Sequence, residues 1–231
     1  MNSKKIKFIG TGVVCALATV STLSAIKKIK DLFKREFNNL NFSTGIIRQF
    51  GTLYLDDEKV KRPLDFVDYS DIREYNGEKI EIRNTDKDNV YKLSWIEINY
   101  EDKKMLISDR NILKNISFDE LDLLGFVKGK VITIDGYNFM LRLLKESDIE
   151  REWEKYILNE NDILGLPDKV NQDEFEKDVE DLWHNEIPSF IYSKKLDNTK
   201  YCLEKGKDTR KEYRDFKENT GYRPVLQLLE D

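Results

Sequence analysis

The residues able to do chemistry are few, and they do not assemble into a catalytic pattern. One histidine, His184, occurs in 231 residues. As a general base it needs a nucleophile and an orienting group within hydrogen-bond reach, and no motif supplies either. It reads as a helix-end histidine among carboxylates. Glu174/Asp178 and Glu176/Glu180 stand four apart on one helix face, a spacing that a pair of glycosidase carboxylates could use. With 44 Asp and Glu in the chain, chance supplies such pairs. Two cysteines, Cys15 and Cys202, exclude a disulfide scaffold and a Cys-based zinc site, and one histidine excludes a multi-His metal site. Cys202, between Tyr201 and Leu203, reads as a small buried apolar residue. There is no phosphate-cradling Gly loop, nucleophile elbow or metal-ligand helix. The sequence therefore leads us to expect no catalytic residues, no metal, no cofactor and no enzymatic activity.

Binding chemistry is better represented. Between Lys194 and Asn219, Tyr201, Tyr213, Arg214 and Phe216 lie among charged residues, the mixture found on polar recognition surfaces. These four form the candidate binding surface, in a stretch that reads as loops. Trp95, Trp153 and Trp183 have apolar spacing around them and belong in a core. Arg142 and Arg223 each lie within an apolar strand, where an arginine is expected to pair with a buried acid.

Charge distribution limits the partners. The chain carries 39 Lys and Arg, for a net charge of −5. Residues 1–37 are basic, residues 145–186 strongly acidic and residues 187–223 basic again. Opposed consecutive blocks fit neighbours within one domain. An acidic body argues against nucleic acid as a partner.

The elements that must position these residues begin with Phe8 to Ile26, FIGTGVVCALATVSTLSAI, nineteen residues without a charge between lysine collars. Three readings fit: a membrane anchor, a cleaved signal with Ala16-Leu17-Ala18 as a processing site, or an apolar helix packed in an assembly. Ile29, Leu32, Phe33 and Phe37 follow at helical spacing between lysines, as a basic amphipathic helix or a stalk.

After a linker at 38–43 the period changes to two. Strands are expected around Ile46–Leu55 (broken by Gly51), Lys79–Arg83, Ile96–Tyr100 and Lys104–Ile107, with Asn76-Gly77 as a turn signal. Ser117 and Glu120 form a capping box for a short helix stopping at Gly125. Val131–Ile134, Asp135-Gly136 and Tyr137–Leu141 form a two-residue hairpin. Ser147 and Glu150 read as a second capping box, with Ile149, Trp153, Tyr156 and Ile157 on one helical face. A further helix opens at Asn171. Ser189–Tyr192 and Tyr222–Leu228 read as strands. Mixed elements without βαβ alternation give an α+β class.

Several phrases occur in a telling order: Met105–Arg110, Val131–Gly136 leading to Leu141–Leu144, Glu152-Trp153 with Tyr156-Ile157, Gly165-Leu166-Pro167, Leu182-Trp183, and Gly221-Tyr222-Arg223-Pro224-Val225-Leu226. Together they resemble proteins of clostridial phages and prophages whose C-terminal region looks like the C-type-lectin-like fold shared with formylglycine-generating enzymes. The resemblance covers roughly 95–231. It implies a lectin-like α+β domain there; residues 1–94 are not covered, and their own pattern gives an N-terminal apolar helix and stalk over 1–37 and a linker and β-rich region over 38–94. The implied function is a non-enzymatic binding module displayed on a virion or cell surface, as a tail or surface recognition protein. An alternative is a structural assembly or decoration protein gripping through its N-terminal helix; a cell-envelope hydrolase is a third. The implied partners are other virion or surface proteins and a bacterial surface glycan or protein; the uncharged stretch itself adds a membrane through residues 8–26 as a further expected partner.

Overall fold

From Phe42 onward, alternation of faces along strands governs the chain. The structure, a computed structural model, describes residues 42–63, 71–168, 183, 187–206 and 208–229, all within one unit, Phe42–Asp231. In chain order the strands are β1 (Ile47–Leu55), β2 (Glu58–Lys59), β3 (Arg73–Glu74), β4 (Ile80–Arg83), β5 (Lys92–Tyr100), β6 (Lys103–Ser108) and β7 (Leu113–Lys114). After α1 (Phe118–Leu123) come β8 (Lys130–Ile134), β9 (Tyr137–Arg142), β10 (Lys145–Glu146), β11 (Ser189–Ser193), β12 (Tyr201–Lys205), β13 (Thr209–Tyr213), β14 (Gly221–Tyr222) and β15 (Val225–Leu228).

Two sheets share these strands. The first runs β2-β1-β5-β6-β15-β9-β8, with β4 also paired to β1; the second runs β13-β12-β11-β14-β7-β3, with β10 beside β11. The first sheet curls until its ends meet. β1 shifts register between Gln49 and Thr52, and Gly51 there has φ +68°. A bulge of this kind bends a strand and increases its twist. A Cβ at Gly51 would stand 3.1 Å from Ile82 of β4, so the bend also needs glycine for space. The curl is closed by side chains: Gly51 N donates to Thr85 Oγ1 at 2.8 Å, and Thr85 donates through N and Oγ1 to Asp135 in the β8–β9 turn.

The strands β5, β6 and β15 are buried on both faces. On one face Ile96, Ile98, Met105, Ile107 and Val225 join a cluster with Trp153, Tyr156, Ile157, Trp183 and Ile191 of the second sheet's side. The intervening Trp95, Leu106 and Leu226 are buried as well, and Trp95 donates its indole N–H to the Phe50 carbonyl at 2.6 Å. The chain passes between the sheets at Arg223-Pro224, which separates β14 from β15. Proline suits that crossing, because it has no N–H to leave unpaired at a strand start.

The segment over this core is pinned by a buried ion pair. Arg142 of β9 donates from Nη1 to Glu152 Oε2 at 2.7 Å and from Nη2 to Oε1 at 2.8 Å. Glu152 also accepts the Lys145 amide at 2.9 Å. This two-pronged geometry is the strong form of the interaction. Directly after Glu152 the backbone makes a π turn, Trp153–Ile157, which places Trp153, Tyr156 and Ile157 in the core. Arg223 lies with its guanidinium 5.6 Å from the centre of the Trp153 ring.

The expected α+β class with a C-terminal C-type-lectin-like domain is corrected. Among the described residues strand, at 42%, outweighs helix, at 10%, and the strands form curled, mostly antiparallel sheets. The Ser147 capping box illustrates the reason. Its hydroxyl accepts the Ile149 and Glu150 amides as a helix cap would, but helical structure begins only beyond Glu152, as the five-residue π-helix Trp153–Ile157, with Trp153, Tyr156 and Ile157 buried as expected. Ile149 consequently points to solvent, not to the core. The predicted single strand over Tyr222–Leu228 is two, β14 and β15. The expected N-terminal apolar helix and the helix from Asn171 lie outside the described residues. Among the described residues, no helix is long and apolar enough to cross a membrane. The Ser117/Glu120 capping box and the Asp135-Gly136 hairpin are formed as read.

Removing one partner of the buried pair leaves a bare charge, so Arg142→Met is expected to cost about 3–5 kcal/mol in urea unfolding. The double variant Arg142→Met/Glu152→Leu is expected to recover most of that loss. Equal losses in the two variants would show that packing, not charge pairing, sets the cost.

Candidate functional site

Residues 200–214 form an antiparallel hairpin at the outer edge of the second sheet, where the sequence suggested loops. β12 pairs with β13 from Tyr201↔Tyr213 to Lys205↔Thr209, and β13 is the outermost strand. Because strand side chains alternate, Tyr201 and Leu203 share one face with Lys211 and Tyr213, while Cys202 and Glu204 share the other.

The structure brings two of the four predicted residues together. The Tyr201 and Tyr213 rings lie 5.1 Å apart at an interplanar angle of 36°, and Tyr213 is half exposed. Lysines cap this pair. Lys211 Nζ stands 4.2 Å from the Tyr201 ring centre, and Lys200 Nζ stands 5.3 Å from both. The hydrogen bond with Tyr201 raises the Tyr213 hydroxyl pKa above its ordinary value. Sequence reading missed both lysines; treating the stretch as a hairpin, with its period of two, would have placed Lys211 diagonally across from Tyr201.

Arg214 has a different task. It donates to Asp119 at 2.6 Å and to Asp122 at 2.5 Å, and its guanidinium lies 4.6 Å from the Phe118 ring centre. Those contacts tie the hairpin to α1, so Arg214 positions the face without presenting itself on it. Phe216 follows in the turn beyond β13, with its amide bonded to the Tyr213 carbonyl at 3.1 Å.

Beneath the hairpin lies a shallow crevice lined by Phe118, Tyr192, Leu196, Tyr201, Cys202 and Arg214 among others, with essentially no enclosed volume. Ordinary small-molecule pockets hold roughly 300–1,000 Å³, so a flat contact suits this region better than an enclosed ligand. Cys202 is buried as read; burial pushes its thiol up to about 12. His184 and the acid pairs of 174–180 lie outside the described residues. Among the described residues, no group of His, Cys, Asp and Glu could hold a metal ion.

Glu204 escaped the sequence reading. It is only 2% exposed, and its Oε1 has no hydrogen-bond partner. Burial, reinforced by Glu212 and opposed by Arg210, pushes its carboxyl up to about 7. It therefore holds β12 in place best as the neutral acid. No family model matches the chain, and neither a curated protein nor a solved structure matches it.

The Glu204 environment generates a pH dependence of stability. The folded pKa lies above the ordinary 4.5, so the unfolded state loses its proton first as pH rises. Glu204's contribution is full at lower pH, declines between pH 4.5 and about 7, and is flat above. Urea midpoints across this range, compared with Glu204→Gln, are expected to show a decline smaller by about 1–3 kcal/mol in the variant. Parallel profiles for the two proteins would contradict this.

Proposed function

We propose that this chain is a non-enzymatic recognition module displayed on a phage virion or a bacterial surface, with the Tyr201–Tyr213 pair and its two lysines as the contact face. The observation that carries the proposal is the placement of an aromatic pair, capped by two ammonium groups, on an outermost strand. An ammonium group over an exposed tyrosine gains about 0.5–1 kcal/mol from the ring. That attraction holds the lysines where they face outward with their charge unspent on a carboxylate. The ring faces are therefore covered by cations, which favours an acidic cell-surface polymer over a neutral sugar stacked on bare tyrosine.

A charged, mostly exposed edge strand also serves solubility. Lysine and other charges on an edge discourage pairing with other chains, so Arg210, Lys211 and Glu212 protect β13 while leaving its tyrosine-bearing face available. This design does not need a lectin-like scaffold. A curled sheet with a projecting hairpin presents the same groups.

The test is binding of the fluorescently labelled full chain to purified bacterial cell envelopes. Saturable binding is expected, weakened by salt and by about tenfold in Lys200→Ala/Lys211→Ala, which removes two ammonium groups that would face an acidic partner. Absence of binding at micromolar protein would overturn the proposal and favour the alternative of an assembly protein acting through residues 8–37. Binding equal to wild type in the variant would place the contact elsewhere.

A further inference from the structure

The strand that carries Tyr213 is lightly anchored. β13 bonds to β12 on one side and, among the described residues, has no strand on the other. Four of its five residues, Thr209, Arg210, Lys211 and Tyr213, are exposed, so parting it from β12 uncovers little apolar surface. Segments of that kind open locally while the rest of a domain stays folded. β12 is held more firmly. It pairs with β11 from Ser189↔Lys205 to Ile191↔Leu203, and Lys205 Nζ donates to Glu146 at 2.9 Å and also to Glu154.

Glu204 sits at this weak seam. Its backbone lies opposite Arg210 of β13 and Phe190 of β11. The carboxyl is buried, and its Oε1 has no hydrogen-bond partner. Such a group is tolerated far better with its proton than without it. After burial itself, the charges that act on it among the described residues belong to β13: Glu212 opposes ionisation, and Arg210 favours it with the lesser effect. β11 contributes no charged side chain, and the α1 acids Asp119 and Asp122 are taken up by Arg214. Cys202 marks the same seam, since its thiol lies 3.6 Å from the Glu212 carbonyl and 3.7 Å from the Tyr213 carbonyl.

We propose that β13 is a proton-gated flap, closed on β12 while Glu204 keeps its proton and peeling away when Glu204 ionises, so that the Tyr201–Tyr213 face assembles only in mildly acidic surroundings. The gating of contact rests on the recognition reading above; the flap itself does not. Peeling admits water to the ionised carboxyl and carries Tyr213 and Lys211 away from Tyr201 and Lys200. Because the closed flap raises the carboxyl pKa from 4.5 to about 7, its advantage over the open form is full below that range. The advantage falls as pH rises through the range and is constant above it.

The test uses the full chain with Cys15→Ser, which leaves Cys202 as its one thiol. Reaction with 4,4′-dithiodipyridine is timed at about pH 5.5 and about pH 8, beside Glu204→Gln in the same background to cancel the thiol's own pH dependence. The ratio of parent to variant rates is expected to rise at least about tenfold between the two conditions, with tryptophan fluorescence unchanged. A constant ratio would overturn the flap, as would a rise seen only where the fluorescence reports unfolding of the whole chain. Should Glu204→Gln not fold, Glu212→Gln replaces it: removing the like charge is expected to shrink the rise, and an undiminished rise would overturn the proposal. Binding to purified bacterial envelopes at the same two pH values separates the flap from its use. The parent is expected to lose about tenfold more affinity at the higher pH than Glu204→Gln does. Equal losses would overturn the gating of contact. No binding at either pH would overturn the recognition reading, and the thiol rates would still decide the flap.

Discussion

The ion pair between Arg142 and Glu152 is the constraint on which the rest of this fold depends. Two opposite charges are almost wholly buried, a costly position unless every lone pair and proton finds a partner. Here Glu152 receives both prongs of the guanidinium and the Lys145 amide, while Arg142 also reaches Gln227 of β15 and the Met105 sulfur of β6. Three strands and one irregular segment are thereby fixed by one side chain. Directly beyond Glu152 the backbone forms a short π-helix, and Trp153 and Tyr156 enter the core shared with Ile107 of β6 and Ile191 of β11.

That arrangement explains why the outer hairpin is available for contact. The β5, β6 and β15 strands supply core on both faces, so the structure does not depend on β13 for burial. β13 is consequently exposed over most of its length, held through its pairing with β12 and through Arg214's contacts with α1. A strand so placed can carry groups suited to a partner, the role proposed for Tyr213 and Lys211. Glu204 tempers this freedom, since its buried carboxyl makes the hairpin's anchoring strand sensitive to proton loss.

Local signals in the sequence were legible where local physics decides the structure. Asp135-Gly136 specifies a two-residue turn whatever surrounds it, and Ser117 with Glu120 satisfies its own helix amides. Arg142 could be read as a strand arginine awaiting an acid. The class differs because long-range burial overrides local pattern: Ser147 caps a turn, helical structure starts only beyond Glu152 as a short π-helix, and Ile149, at helical spacing from Trp153, stands in solvent. For the candidate site, Tyr201 and Tyr213 were legible as aromatic residues among charges, but Arg214's role was not, because Asp119 and Asp122 are distant in sequence. Lys200, Lys211 and Glu204 depend on hairpin register, which charged alternation conceals.

Amide hydrogen exchange of the full chain, with and without acidic polymer released from bacterial envelopes, tests the central account most directly. Contact at the outer hairpin predicts that added protection is confined to peptides spanning 200–214. Protection appearing instead around the Arg142–Glu152 segment, or nowhere, would contradict the assignment of recognition to β12 and β13.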